Sequence, residues 1–376
     1  MFKKSQLLLT AALAMSALLP ARSNAQTSSA AGAVFVMTNA ADKNEIITYK
    51  RLTDGSLQQG QSFRTGGRGS GGVTDPLGSQ GSLTLSQDRS LLFAVNAGSG
   101  DISVFRVHGT RLSLIDQTPS GGSEPVAVAQ HANLVYVVNA GGASSVVGFN
   151  LDNNGKLSSI SGALAYLSTG NSGPASLAFS PDGQFLLVTE KVTNSIDAFK
   201  VQIDGTLAPI VVNPSAGPGV FAVVFAPNGT ALVAETGPAG GTNASAISSY
   251  SVQANGALST INASVPTLGA ASCWNVVTPD GHYVYTSNAA SATISGFAIG
   301  TSGTLTPIAA TVVGPNPAGS TNIDFAISSD GKFLYTLNSS TGTVGIFAVN
   351  QDGTLTSLGD ASGLSASAGF NGIAAI

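Results

Sequence analysis

A hydrophobic phrase ending in Asn or Glu returns seven times along the chain, and no other feature restricts the fold as tightly. It closes at Asn39, Asn96, Asn139, Glu190, Glu235, Asn288 and Asn338, at spacings of 57, 43, 51, 45, 53 and 50 residues. A period in that range, rich in β-branched and aromatic residues, signifies an array of small sheets. The repeat shows where a site could sit and says less about its chemistry.

The unit is clearest between Ala175 and Ile210. ASLAFS alternates as a first strand, Pro181-Asp182-Gly183 makes a tight turn, and QFLLVTE forms a fully apolar second strand. IDAFKVQ follows as a third strand, and Asp204-Gly205 turns the chain into a fourth, TLAPIVV. These dipeptides supply the backbone angles that short hairpins require. Similar turns recur in the other units, with His108-Gly109 in the second. Four antiparallel strands in each of seven units define an all-β fold, a seven-bladed β-propeller.

The two ends support closure into a ring. The segment GAVFVMTN reads as a second strand with no first strand before it, and NGIAAI, Asn371 to Ile376, reads as a first strand with nothing after it. The C-terminal strand is therefore expected to complete the N-terminal blade, which removes free sheet edges. A solenoid, the other repeat architecture, needs capping units and has no reason to split one unit between the termini.

Lys3 and Lys4, the apolar stretch Leu7 to Leu19 and Ser23-Asn24-Ala25 have the order of a secretory leader, so residues 1–25 are read as a removed signal and 26–376 as the propeller. The expected location is the periplasm or the extracellular space, without stable membrane insertion. Net charge is −4 and there is no basic run, which argues against nucleic-acid binding. Cys273 is the only cysteine, so no intrachain disulfide forms; with no His near it, it reads as an inert small hydrophobe. No stripe for self-association stands out, and a monomer is the expectation.

Strand order puts the tight turns on one face of the ring and the long connections on the other. The loop-face channel mouth is the expected site. His108, His131 and His282 all fall in or beside the tight turns, so a zinc site or a Ser-His-Asp triad is not expected, and no metal or cofactor is assigned. Arg64 and Arg68 are the only arginines on the loop face, with Lys43 and Lys191 nearby. Asn at the end of the second strand reads as a turn cap; Glu190 and Glu235 replace it in two neighbouring blades. They read either as solvated loop starts or as a pair of reacting carboxylates. Asp324 interrupts an otherwise apolar inner strand, where a carboxylate must be bonded, paired or neutral. It serves either to tie a loop backbone or to act in the site. Trp274 is either blade packing or a ligand platform. The Gly-rich run Gly66 to Gly81 lacks a phosphate-loop order and reads as a flexible flap, in which Asp75 could accept a bond from Arg64 or Arg68.

The phrases YVVN, YTSN, YTLN and FAVN, each followed later by DGTL or a close variant, resemble those of lactonase-type seven-bladed propellers, the group of bacterial 6-phosphogluconolactonase and carboxymuconate-cyclase-like proteins. The likeness runs from Ala33 to Ile376. It implies chemistry at the channel mouth on lactone or muconate-like acids through His, Arg and carboxylate side chains. Here no His reaches that face and no Arg follows Arg111. The expectation is thus a secreted hydrolase of a cyclic ester, with a small-molecule lactone or carbohydrate-like ligand. Glu190 or Glu235 would activate water, with Asp324 as a third carboxylate. Arg64, Arg68 or Asn275 would stabilise the oxyanion, and Lys191, Trp274 and Asn322 would line the substrate. A non-catalytic binding propeller and a muconate-cyclising isomerase or lyase are the alternatives.

Overall fold

The repeating phrase becomes the buried second strand of each sheet in the computed structural model, which describes residues 30–239 and 241–376. Twenty-eight strands form seven four-stranded antiparallel sheets. Six sheets are consecutive in sequence; the seventh joins Ile373–Ala375 to the strands Ala30–Met37, Glu45–Leu52 and Leu57–Arg64. Phe35 pairs with Ala374, and Val34 with Ala375, so the expected ring closure is present. The signal segment predicted over 1–25 lies outside the described residues. Among the described residues no helix is long and apolar enough to cross a membrane.

Phe185–Glu190 and Phe333–Asn338 are buried along their whole length, whereas the outer strand Leu57–Arg64 is mostly exposed. Second strands are sandwiched between neighbouring blades, and each buried Leu, Val or Phe contributes roughly 1.5–3 kcal/mol. Two polar side chains of the phrase add direction. Its tyrosine reaches forward: the hydroxyls of Tyr136, Tyr285 and Tyr335 donate to the carbonyls of Gly205, Gly353 and Gly55 in the Asp-Gly or Gln-Asp-Gly turn of the next blade. Its terminal Asn or Glu reaches back in several blades, whereas Asn288 and Asn338 bond within their own. Asn96 accepts from Thr65 Oγ1 at 2.7 Å and from Asn44 Nδ2 at 2.9 Å, both in the preceding blade. Asn96 is therefore a tie between blades more than the turn cap its position suggested.

Arg51 fastens the closure. Its side chain is buried between the seventh and first blades, donating to the carbonyls of Ile376 (3.2 Å) and Ala31 (3.1 Å) and to Asp330 (3.3 Å). One expected strand is shorter than read. In the fourth blade TLAPIVV contributes only an isolated bridge at Leu207 before the strand Val211–Pro214. Pro209 has no N–H to give to the ladder, which delays regular pairing. The histidines sit on the tight-turn face, where His131 Nε2 lies 3.2 Å from the Pro181 carbonyl and His282 Nδ1 lies 2.9 Å from Asp280.

Candidate functional site at the channel mouth

The long connection between the first and second blades does not hang free: its second half enters the channel and is bonded around the ring. Ser79 Oγ donates to Val126 O in the third blade (2.9 Å), and Gln80 N donates to Ala175 O in the fourth (2.8 Å). From the sixth blade Trp274 Nε1 donates to Ser79 O at 3.0 Å. The Gln80 amide pairs with the Asn275 backbone, accepting from its N–H (3.1 Å) and donating to its carbonyl (2.6 Å). Leu77 and Ser79 are buried. The expected flap is therefore a strap, because the inner strands present backbone groups to the channel and the strap's polar groups satisfy them.

Asp75 and Lys191 hold the strap where it meets the loop face. Asp75 Oδ1 accepts from Gly78 N (3.1 Å) and from Asn371 Nδ2 (3.0 Å). Lys191 Nζ donates to the carbonyl of the same Gly78 and lies 5.4 Å from the centre of the Phe221 ring. A Cβ on Gly78 would lie 2.6 Å from Nζ and push the Lys191 head aside, and the left-handed φ of 53° there favours glycine. Burial pushes the Asp75 carboxyl up to about 6, against the opposing pull of its Asn371 bond and the Lys191 charge. Desolvation lowers Lys191, partly offset by Asp75. A carboxylate and an ammonium with displaced affinities for protons, set beside a channel, form a candidate acid–base site.

The remaining predicted residues divide sharply. Glu190 and Glu235 are fully buried within their own blades. Glu190 accepts from Ser168 N at 2.9 Å and from the hydroxyls of Ser168 and Thr193. Glu235 accepts from Gly217 N (3.0 Å), Ser248 (2.6 Å) and Ser264 (2.7 Å). Both serve as interblade ties in the manner of Asn96. Beside Glu190 lies Asp197, buried with neither carboxyl oxygen bonded; burial first, and the neighbouring Glu190 second, push it up to about 8, so it holds its proton far more tightly than a free carboxyl. Trp274 is buried against Phe221, edge to face at 5.1 Å, and is a clamp on the strap more than an exposed platform. Asn275 and Asn322 are fully buried, with side-chain amides directed at Leu232 O (3.4 Å) and Thr293 O (3.0 Å). Arg64 is 74% exposed on an outer strand, 3.9 Å from Glu45, and does not reach Asp75. Arg68 is exposed, its backbone N–H donating to Ser99. Asp324 faces the channel below the strap, its carboxylate accepting from Phe325 N (2.9 Å) and Ile373 N (3.2 Å). Cys273 is buried and its thiol is pushed far up by desolvation. Among the described residues no group of three or more His, Cys, Asp or Glu is placed to hold a metal ion.

Asp75 was expected to accept from Arg64 or Arg68; its donors are instead Asn371 and Gly78, and neither these partners nor Gln80 was legible in advance. Its one signal was an acid before proline inside the longest connection.

The ring and its closing strand define a seven-bladed propeller, and comparison gives its family as that of the lactonase-type propellers. The family model described as Lactonase, 7-bladed beta-propeller matches residues 71–165, 143–276 and 275–367, and the chain belongs to that family. Among solved structures, a Bacteroides uniformis protein provisionally assigned as a 6-phosphogluconolactonase is 20% identical, with a TM-score of 0.72 over 92% of this chain and 99% of that one. The periplasmic gluconolactonase PpgL of Pseudomonas aeruginosa is 18% identical, with a TM-score of 0.68 over 92% and 99%. At such identities these structures share the fold. No curated protein matches the sequence.

Proposed function

We propose that the chain hydrolyses small lactones lacking a phosphate group, at the loop-face mouth of the channel. The observation that carries the reading is the Asp75–Lys191 pair gripping opposite sides of Gly78. Both bonds to Asp75 fall on Oδ1, which leaves Oδ2 for water. In this mechanism Oδ2 takes a proton as water attacks the lactone carbonyl, and the Lys191 ammonium stabilises the oxyanion that forms. Collapse breaks the ring C–O bond, Asp75 returns the proton to the departing alkoxide, and a hydroxy acid leaves. Glu190 and Glu235 act at a distance by holding the interblade connections in place.

Charge sets the substrate class. Asp75 and Glu124 lie around this end of the channel, and Lys191 is the cation they influence. A phosphate dianion finds no arginine fork here, since Arg64 projects from the outer strand. Membership of the lactonase family and the gluconolactonase PpgL as a structural neighbour support the same class of ester. The leader-like N-terminus supports export, with a monomer as the working state.

A panel of five- and six-membered lactones tests the reading, with and without phosphate. Asp75→Asn and Lys191→Met should each lower kcat/KM by about 100-fold or more. Full activity in Asp75→Asn would overturn the assignment, as would a preference for phosphorylated lactones.

A further inference from the structure

Below the strap the channel continues as an open recess of about 210 Å³. Gln80 and Gly81 roof it, Thr84 and Asp324 are its polar walls, and Leu85 and Ile327 lie toward the tight-turn face. The strap separates it from Asp75 and Lys191.

Asp324 is unusual in two ways. Its backbone is left-handed, φ 52°, at a bulge between Ile323 and Phe325. Such backbone costs energy for most residues and Asp tolerates it better than most. The side chain is also 4% exposed, yet both its hydrogen bonds come from uncharged backbone N–H groups. No Lys, Arg or His among the described residues lies within ion-pair distance of it. Asp75, nearby, adds repulsion of the same sign. A buried carboxylate that keeps its charge is ordinarily paired.

We infer that this recess is a second binding site, for a small organic monocation, an ammonium group on a compact apolar body. The ammonium would donate to a free lone pair of Asp324 in a charge-assisted bond. Leu83, Phe325, Ile373 and Ala374 would cover the apolar part, and the open recess admits the ligand without moving the strap. Burial pushes the Asp324 carboxyl up to about 7, the direction expected of a site whose anion lacks a partner.

The test is calorimetric titration of the folded protein with benzylamine, alongside benzyl alcohol and benzoate as probes of the same shape. Benzylamine should bind at one equivalent, benzyl alcohol at least tenfold more weakly, and benzoate not at all. Asp324→Asn should weaken benzylamine binding at least tenfold. Because Asp324 also bonds the closing strand, Thr84→Phe provides a second variant, which narrows the recess while leaving Asp324 in place and should abolish binding. Equal affinity for the alcohol and the amine would overturn the inference. So would retained benzylamine binding in a folded Thr84→Phe protein, or complete competition by sodium at equal concentration.

Discussion

Trp274 donates its indole N–H to the carbonyl of Ser79 at 3.0 Å, a bond that joins the sixth blade to the segment leading into the second. The only tryptophan in the chain is thus spent on holding the strap across the channel. Trp274→Phe keeps the packing on Phe221 but leaves the buried Ser79 carbonyl without its donor. The expected loss of stability is about 1–3 kcal/mol in urea unfolding. Proteolysis within residues 66–81 should accelerate in the same variant, and an unchanged cleavage rate would show that the strap is held without this bond.

Ring closure rests on Arg51 as much as on the ladder. Arg51→Ala would leave the Ile376 and Ala31 carbonyls unmatched and Asp330 without its partner. It should cost about 3 kcal/mol in thermal or urea unfolding. Arg51→Lys should recover part of this, because one ammonium cannot reach three acceptors in a fixed fork. Deletion of residues 370–376 should lower the melting temperature sharply and promote aggregation; an intact melting curve would refute closure by this strand.

The carboxyl pair in the fourth blade makes stability depend on pH. Asp197 ionises near 3.8 when unfolded and at about 8 when folded. The unfolded chain therefore releases this proton first, and stability falls from about pH 4 until the folded group also ionises near pH 8. Asp197→Asn removes that penalty and offers an amide donor to Glu190. The variant should match the wild type near pH 4 and exceed it at pH 9, by ~1.4 kcal/mol for each tenfold change in proton affinity that folding imposes on the carboxyl. Parallel stability curves across this range would exclude the raised proton affinity of Asp197.

Asp75 sets the acid limb of the proposed activity. With its carboxyl pushed up to about 6, kcat/KM should rise with pH through that value as the base form accumulates. Lys191 holds the limb down by its charge, so Lys191→Met should move the limb to higher pH as well as lower the plateau. A limb that stays fixed in Lys191→Met would separate the two residues.

The fold was legible because its determinants are local and repeated. The apolar second strand and the turn after it recur with the period, and where the phrase carries Tyr its hydroxyl meets the same turn of the next blade. Pro209 marks where that reading overran, since a strand cannot be laddered without its N–H. The site was harder to see because Asp75 meets Asn371 across 296 positions, and Gln80 meets Asn275 across 195. Glu190 and Glu235 drew attention as departures from Asn, yet the pocket each fills already supplied donors, so a carboxylate could replace an amide without leaving the interior.

Because Ile373–Ala375 is not contiguous in sequence with Ala30–Met37, its one neighbour in the sheet, nothing in the ladder itself requires it to come from the same molecule. At high concentration two chains could trade this short segment and form interlocked pairs with the same internal bonds. Slow, dilute refolding would favour self-capture, and the handling history of a sample would then decide how many copies travel together.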